Sequence, residues 1–277
     1  MYWNKAKTCI IAALCLTNLF LFVCNALYSS NKYHLTPRRA ADIKTVLQNN
    51  NISMDCPINL PFPPMRGLAV QLSSEYSHEA LRDIFIKNPS QADFNIEDNR
   101  FVYRTDWESL TIASDGYVLY RNRDVKAASP DPAEARRVCS DFLKRLGVPD
   151  FREDLSYSSS DGLTFEFRQK YGKFVVNSNF LIISVGDTGV SRVEFMYAAP
   201  VGFTGQKREI CAPDEALMSC MYELQNIYGY SPVSIERVEL VYMQTEKGSA
   251  QPFYRVFKKD DYTPMLINAY ENTVYSG

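Results

Sequence analysis

PAEARRVCSDFLKRLG, residues 132–147, reads as one amphipathic helix. Ala135, Val138, Cys139, Phe142, Leu143 and Leu146 fall at i, i+3, i+4, i+7, i+8 and i+11, an apolar stripe along a helix that stops before Gly147. Asp131 with Glu134 has the form of a variant capping box. The pattern returns downstream. Pro132, Glu134, Ala135, Cys139 and Leu143 recur as Pro213, Glu215, Ala216, Cys220 and Leu224, five matches at one offset of 81 residues without a gap. The second helix carries Leu217, Cys220, Met221, Leu224, Ile227 and Tyr228 on its stripe and ends at Gly229, behind a poor cap at Ala212.

Strands follow each helix. Leu163, Phe165 and Phe167 alternate with Thr164, Glu166 and Arg168, which predicts one buried and one wet face. Val238, Leu240 and Tyr242 alternate in the same way around Glu239. Leu181-Ile182 before Asp187-Thr188 matches Leu266-Ile267 before Asn272-Thr273, a strand running into a polar turn. Two unrelated amphipathic helices would share some matches, but recurrence of the whole helix-then-strand order favours duplication. The expected fold class is α+β, with repeated helix-plus-antiparallel-sheet modules at about 131–210 and 212–277 within a region 129–277.

Working upstream, residues 29–128 read as a membrane-proximal α+β region. Thr36-Pro37 opens a helix to about Asn49, the hydroxyl capping free N–H groups and Pro tolerated at the first position. Pro57, Pro61, Pro63 and Pro64 keep residues 51–64 out of helix. A strand over 68–72, a helix from about Ser77 to Lys87, and strands near 100–104, 108–113 and 117–121 follow, with Ser114-Asp115-Gly116 as the last hairpin turn. Lys258 to Asp261, of mixed charge, reads as a solvated turn.

The N-terminus departs from all of this. No charged residue occurs from Thr8 to Asn31, and residues 9–28 read CIIAALCLTNLFLFVCNALY. At about 1.5 Å per residue that run spans the roughly 30 Å hydrocarbon layer. Tyr2, Trp3, Lys5 and Lys7 flank one end and Tyr28, Lys32 and Tyr33 the other, aromatic rings and amines suited to the two interfaces. Residues 1–8 are then a cytoplasmic head, 9–28 a transmembrane helix and the rest extracellular, because a long C-terminal domain is translocated largely regardless of charge. A cleaved signal peptide has a similar form, with Cys24 and Ala26 as small residues, but a shorter apolar core. Val23 before Cys24 argues against lipid attachment there. Asn18 and Asn25, seven residues apart, share one side of this helix and are its expected contact with another helix.

The chain carries a net charge of −2, and without Lys5 and Lys7 about −4, with no basic run. Nucleic acid is therefore not an expected partner. Cys9, Cys15 and Cys24 lie in the apolar run, while Cys56, Cys139, Cys211 and Cys220 show no metal or staple spacing and read chiefly as buried thiols, one disulfide staying open. Neither His34 nor His78 stands in a metal-ligand spacing. Cys139 and Cys220 lie on apolar helix faces, where a thiol is inert, and Glu134 and Glu215 sit where capping and the helix dipole explain them. No glycine-rich phosphate loop is present. Catalytic residues, a metal, a cofactor and a small-molecule substrate are all unexpected.

Trp3-Asn4-Lys5-Ala6-Lys7-Thr8 running into the apolar span resembles the start of the YycI family of two-component-system regulatory proteins. The resemblance extends to Leu47-Gln48-Asn49-Asn50-Asn51-Ile52, and to Pro252-Phe253-Tyr254-Arg255-Val256 before Ile267-Asn268-Ala269-Tyr270. It implies an ectodomain of YycH-like and PepSY-like modules, each a helix on an antiparallel sheet. It also implies a non-enzymatic regulator of cell-wall metabolism at the cell membrane, with a YycH-like protein and a membrane sensor histidine kinase (WalK, also called YycG) as partners. The alternative is a secreted or anchored PepSY-like binding or inhibitor module. In intact cells, a cysteine introduced on the ectodomain surface is expected to react with an impermeant thiol reagent and one placed at Ala6 is not; labelling at Ala6 from outside would reverse the topology.

Overall fold

The computed structural model describes residues 2–72, 76–128, 130–259 and 261–275, without the side chains at 2, 4, 5, 9 and 26–31. The boundary expected at residue 129, Asp260 of the charged turn, and the side chains of Tyr2, Lys5, Cys9 and Tyr28 lie outside the described residues. The fold is α+β and mostly sheet, behind one N-terminal apolar helix, α1 (Tyr2–Asn31). Within α1 the segment Ala6–Asn25 is long and apolar enough to cross a membrane, and none of it is buried against the rest of the protein.

Local chemistry accounts for the helices. In α2 (Pro37–Asn49) the Thr36 hydroxyl accepts from Arg39 N and Pro stands at the first position. A shorter helix, α3 (His78–Phe85), is capped in the same way by Ser77. At α4 (Pro132–Leu146) the Asp131 carboxylate accepts from Glu134 N, and Gly147, with φ of 72°, closes the far end as only a residue tolerant of the left-handed region does. For α5 (Pro213–Tyr228) Ala212 offers no side chain, and Glu215 instead reaches back to accept from Ala212 N at 3.2 Å. Each start therefore uses one half of the reciprocal capping pattern.

Among the described residues fifteen strands form one continuous sheet. In chain order they begin with β1 (Ile52–Met54), β2 (Met65–Leu72), β3 (Asp93–Glu97), β4 (Arg100–Arg104), β5 (Glu108–Ile112) and β6 (Val118–Asn122). After α4 come β7 (Phe151–Ser159), β8 (Gly162–Tyr171), β9 (Phe174–Val185), β10 (Val190–Met196) and β11 (Ala198–Arg208). After α5 come β12 (Val233–Glu246), β13 (Ser249–Lys258), β14 (Asp261–Asn268) and β15 (Thr273–Val274). One half runs β7-β8-β9-β10-β6-β5-β4-β3, antiparallel throughout. In the other half β13 lies between β12 and β14, with β2 and then β11 continuing beyond its N-terminal end. Parallel pairing of Val241 and Tyr242 with Val175 and Val176 joins the halves.

Two hydrophobic cores result. Residues of α3, α4, β5, β6 and β8 to β10 build one, including Leu110, Cys139, Phe165, Leu181 and Phe195. Residues of α2, α5, β2 and β12 to β14 build the other, including Leu47, Leu68, Leu217, Cys220 and Tyr254. The cores do not follow chain order. Residues 29–128, read from the sequence as one region, contribute α2, β1 and β2 to the second core and α3 with β4 to β6 to the first. Arg39 clamps α2 to α5 by donating Nε and Nη2 to Asp214, both at 2.8 Å, and Gln225 donates to Asn50 at the far end.

Two expectations fail here. Ile227 and Tyr228 are exposed, not on the buried stripe, because the last apolar contact of α5 with its core is Leu224 and the helix runs on past it. The face holding Thr164, Glu166 and Arg168 is largely buried, not wet, with Thr164 bonded to Ser184 on β9 and Glu166 to Tyr157 on β7. The four cysteines outside α1, Cys56, Cys139, Cys211 and Cys220, are free, so the disulfide left open is not formed. Leu47→Ala, which leaves a cavity in the second core, is expected to lower the urea-unfolding free energy by about 2–5 kcal/mol, whereas Ile227→Ala should stay within about 0.5 kcal/mol. Equal losses would contradict the end of the α5 stripe.

Candidate functional site

In β8, Phe165 and Phe167 face α4, which turns Thr164, Glu166 and Arg168 to the opposite side. In β13, Tyr254 and Val256 face α5, which turns Arg255 and Phe257 away from it. The halves of the sheet meet by these turned-away faces, and charged residues fill the seam. Arg255, 1% exposed, donates Nη1 to Asp154 Oδ2 and to Asn177 Oδ1, each at 2.9 Å, and Nη2 to Asp154 Oδ1 at 3.2 Å. Its Nε donates to Glu239 at 3.1 Å. Arg237 Nη1 reaches the same two acids at 3.3 and 3.4 Å. Arg168 Nη2 donates to Glu166 at 2.9 Å, and Tyr157 donates to the other oxygen of Glu166 at 3.0 Å.

Three guanidinium groups therefore meet three carboxylates. Arg237 and Arg255 also stack on Phe257, at 4.0 and 4.8 Å from its centroid, which suits a planar, weakly hydrated cation. Burial pulls Arg168 below its ordinary pKa, with Glu166 opposing the shift, and burial together with Glu166 pushes the Tyr157 phenol up.

A second feature makes the seam possible. Between Val176 and Phe180 the pairing of β9 with β8 jumps, leaving Asn177, Ser178 and Asn179 as extra residues. Val176 packs in one core, and Leu181 and Ile183 pack in the other. Each extra residue has a task. Asn177 accepts from Arg255, Ser178 accepts from Gln244 N at 3.3 Å, and Asn179, fully buried, grips Ala198 N and O at 3.0 and 2.7 Å where the chain passes between cores.

Beside this bulge opens a cleft of about 920 Å³, bounded by the end of β2, the β5–β6 turn, Phe180, Met196 and the β12–β13 hairpin. Gln244 Oε1 and Thr245 Oγ1, both shielded from solvent, have no hydrogen-bond partner among the described residues. On the cleft wall Tyr117 donates to Glu194 at 2.7 Å, and burial with that contact raises the phenol to about 12. The cleft combines apolar side chains such as Leu72, Phe180, Met196 and Met243 with the polar Ser114, Asp115 and Tyr117, the composition of a recognition site.

The residues weighed from the sequence do not converge there. Cys139 and Cys220 sit in separate cores, their thiols raised to about 12 by burial. His78 stacks on Phe101 at 4.1 Å and contacts the Tyr103 hydroxyl at 2.7 Å. Among the described residues no group of three His, Cys, Asp or Glu side chains stands where it would hold a metal. Asn18 and Asn25 lie exposed on α1. Sequence reasoning missed the polar spine formed by these charged residues along the seam, whose one visible trace is Arg255 in the apolar run FYRVF.

No family model and no curated protein matches the chain. The likeness found is one of fold. An uncharacterized protein from Eubacterium rectale, solved by crystallography, overlays with a TM-score of 0.52 at 12% identity, covering 82% of this chain and 91% of that one. The YpeB C-terminal domain of Bacillus megaterium overlays with a TM-score of 0.40 at 11% identity, covering 74% of this chain and 96% of that one.

Removing one member of a buried charge network strands the others. Arg255→Met is expected to cost about 3–5 kcal/mol in urea unfolding, and the triple change with Asp154→Leu and Glu239→Leu to cost less than the single one. A single change costing under about 1 kcal/mol would show that the spine is not closed to water.

Proposed function

We propose that this chain is a membrane-anchored, non-enzymatic regulator of the YycI kind. In this reading it works with a YycH-like protein to set the activity of a WalK/YycG-like sensor histidine kinase controlling cell-wall metabolism. The N-terminus is cytoplasmic and the large domain extracellular. The carrying observation is the mechanical path out of α1. Only residues 32–36 separate it from α2, and α2 is held on α5 at both ends, by Arg39 with Asp214 and by Asn50 with Gln225. A displacement of the span relative to its neighbours is passed into the second core, and through Arg255 into the first.

The modular reading supports the same proposal. α4 is followed by the sequential antiparallel strands β7 to β10, and α5 by β12 to β15, with Cys139 and Cys220 both fully buried. We take these as two copies of one PepSY-like, YycH-like unit.

The cleft favours a second reading, an anchored or secreted PepSY-like binding or inhibitor module, since its size and its mixture of apolar and polar side chains suit a ligand. Affinity purification of the full chain from native membranes in mild detergent separates the two. The regulator reading expects the kinase and the YycH-like protein to co-purify with a chain whose mass includes the span. Recovery of neither, together with a mature N-terminus beyond residue 28, would leave the module reading.

A further inference from the structure

α1 treats its polar side chains in two ways. Thr17 Oγ1 donates to the Ala13 carbonyl at 2.9 Å, so its hydroxyl is satisfied inside the helix. Asn18 and Asn25 are exposed and make no hydrogen bond among the described residues. In hydrocarbon an unpaired amide is costly, and an Asn side chain is too short to reach water from mid-span.

The residues around them are spaced in a definite order. Ile11, Leu14, Asn18, Leu21 and Asn25 follow at intervals of three and four, and at about 100° per residue they fall within roughly 80° of the helix circumference. That is a heptad seam with Ile11, Asn18 and Asn25 at a positions and Leu14 and Leu21 at d positions. Ala13 and Phe20 lie on the other side, and Thr17 flanks the seam.

We propose that α1 pairs in parallel with α1 of a second copy of this chain through this seam. The amides select that occupant. Each Asn carries a donor and an acceptor, so in a parallel two-fold pair Asn18 meets Asn18 and Asn25 meets Asn25, and both needs are met with no other sequence. An antiparallel copy would place each a layer against a d layer, Asn against Leu. Asn at a with Leu at d is the pattern that sets register in parallel two-stranded coils. The inference rests on α1 crossing a membrane and requires nothing of the kinase reading.

The test uses the full chain in phosphatidylcholine–phosphatidylglycerol vesicles. Cys9, Cys15, Cys24, Cys56 and Cys211 are replaced by Ala, and a single Cys is placed at 14 or 21 on the seam, or at 13 or 20 opposite it. The two remaining thiols are buried in their cores. Copper-catalysed oxidation is expected to give disulfide dimers from positions 14 and 21 and not from 13 and 20. At fixed protein density, each of Asn18→Leu and Asn25→Leu should lower dimer formation by about threefold or more, and Asn18→Gln should retain it. Equal cross-linking at all four positions, cross-linking confined to 13 and 20, or an undiminished yield in the double Leu variant would overturn the seam. Release of the chain by alkaline washing would overturn it together with the span, a failure distinct from loss of periodicity.

Discussion

Arg255 sits where the two halves of one sheet meet, and strands from both halves converge on its guanidinium. A buried cation is tolerable only when each N–H has an acceptor and its charge is answered nearby. Asp154 comes from β7, Asn177 from the bulge in β9 and Glu239 from β12, so satisfying one side chain fixes three strands from both halves. Arg237 and Arg168 complete the balance of charge with Glu166. An apolar seam would bind as strongly and slide more easily. Directional hydrogen bonds give this seam one register, a role with precedent in buried polar layers of coiled coils.

Much of the architecture was legible. Thr36, Ser77 and Asp131 announce helix starts because capping is local chemistry, and Gly147 marks an end for the same reason. The paired stripes around Cys139 and Cys220 predicted two buried thiols correctly, since periodicity reports which face is covered. What periodicity does not report is what covers the other face. Thr164, Glu166 and Arg168 have the pattern of a wet strand face, and only their partners Ser184 and Tyr157 on the neighbouring strands reveal that they are inside. Asn177, Ser178 and Asn179 look like an ordinary polar break between apolar runs, although they let β9 serve two cores. Tyr228, at the end of its stripe, instead receives a hydrogen bond from Lys258 at 2.9 Å. The strand β3 escaped notice, since its residues are exposed and it pairs on one edge only.

The candidate site was the least legible part. The cleft draws on five separate stretches of chain, and its distinctive atoms, Gln244 Oε1 and Thr245 Oγ1, belong to common surface residue types. Their meaning comes from being enclosed without partners, which is a property of packing alone. The cleft and the spine are also contiguous: Asn177 binds Arg255 on one side and contacts Met243 Sδ at 3.6 Å on the other, and Met243 lines the cleft. A ligand or partner that spreads the cleft would therefore strain the join between the cores, and the clamp of α2 on α5 links that join to the helix that follows α1.

The central claim is that the polar spine makes the two cores one mechanical body. Native-state hydrogen exchange measured against urea tests it most directly, by comparing amides of β8 with amides of β13. One shared opening free energy for both strands, with the same urea dependence, is the predicted result. Separate opening of β13 at clearly lower free energy, while β8 stays protected, would contradict the account.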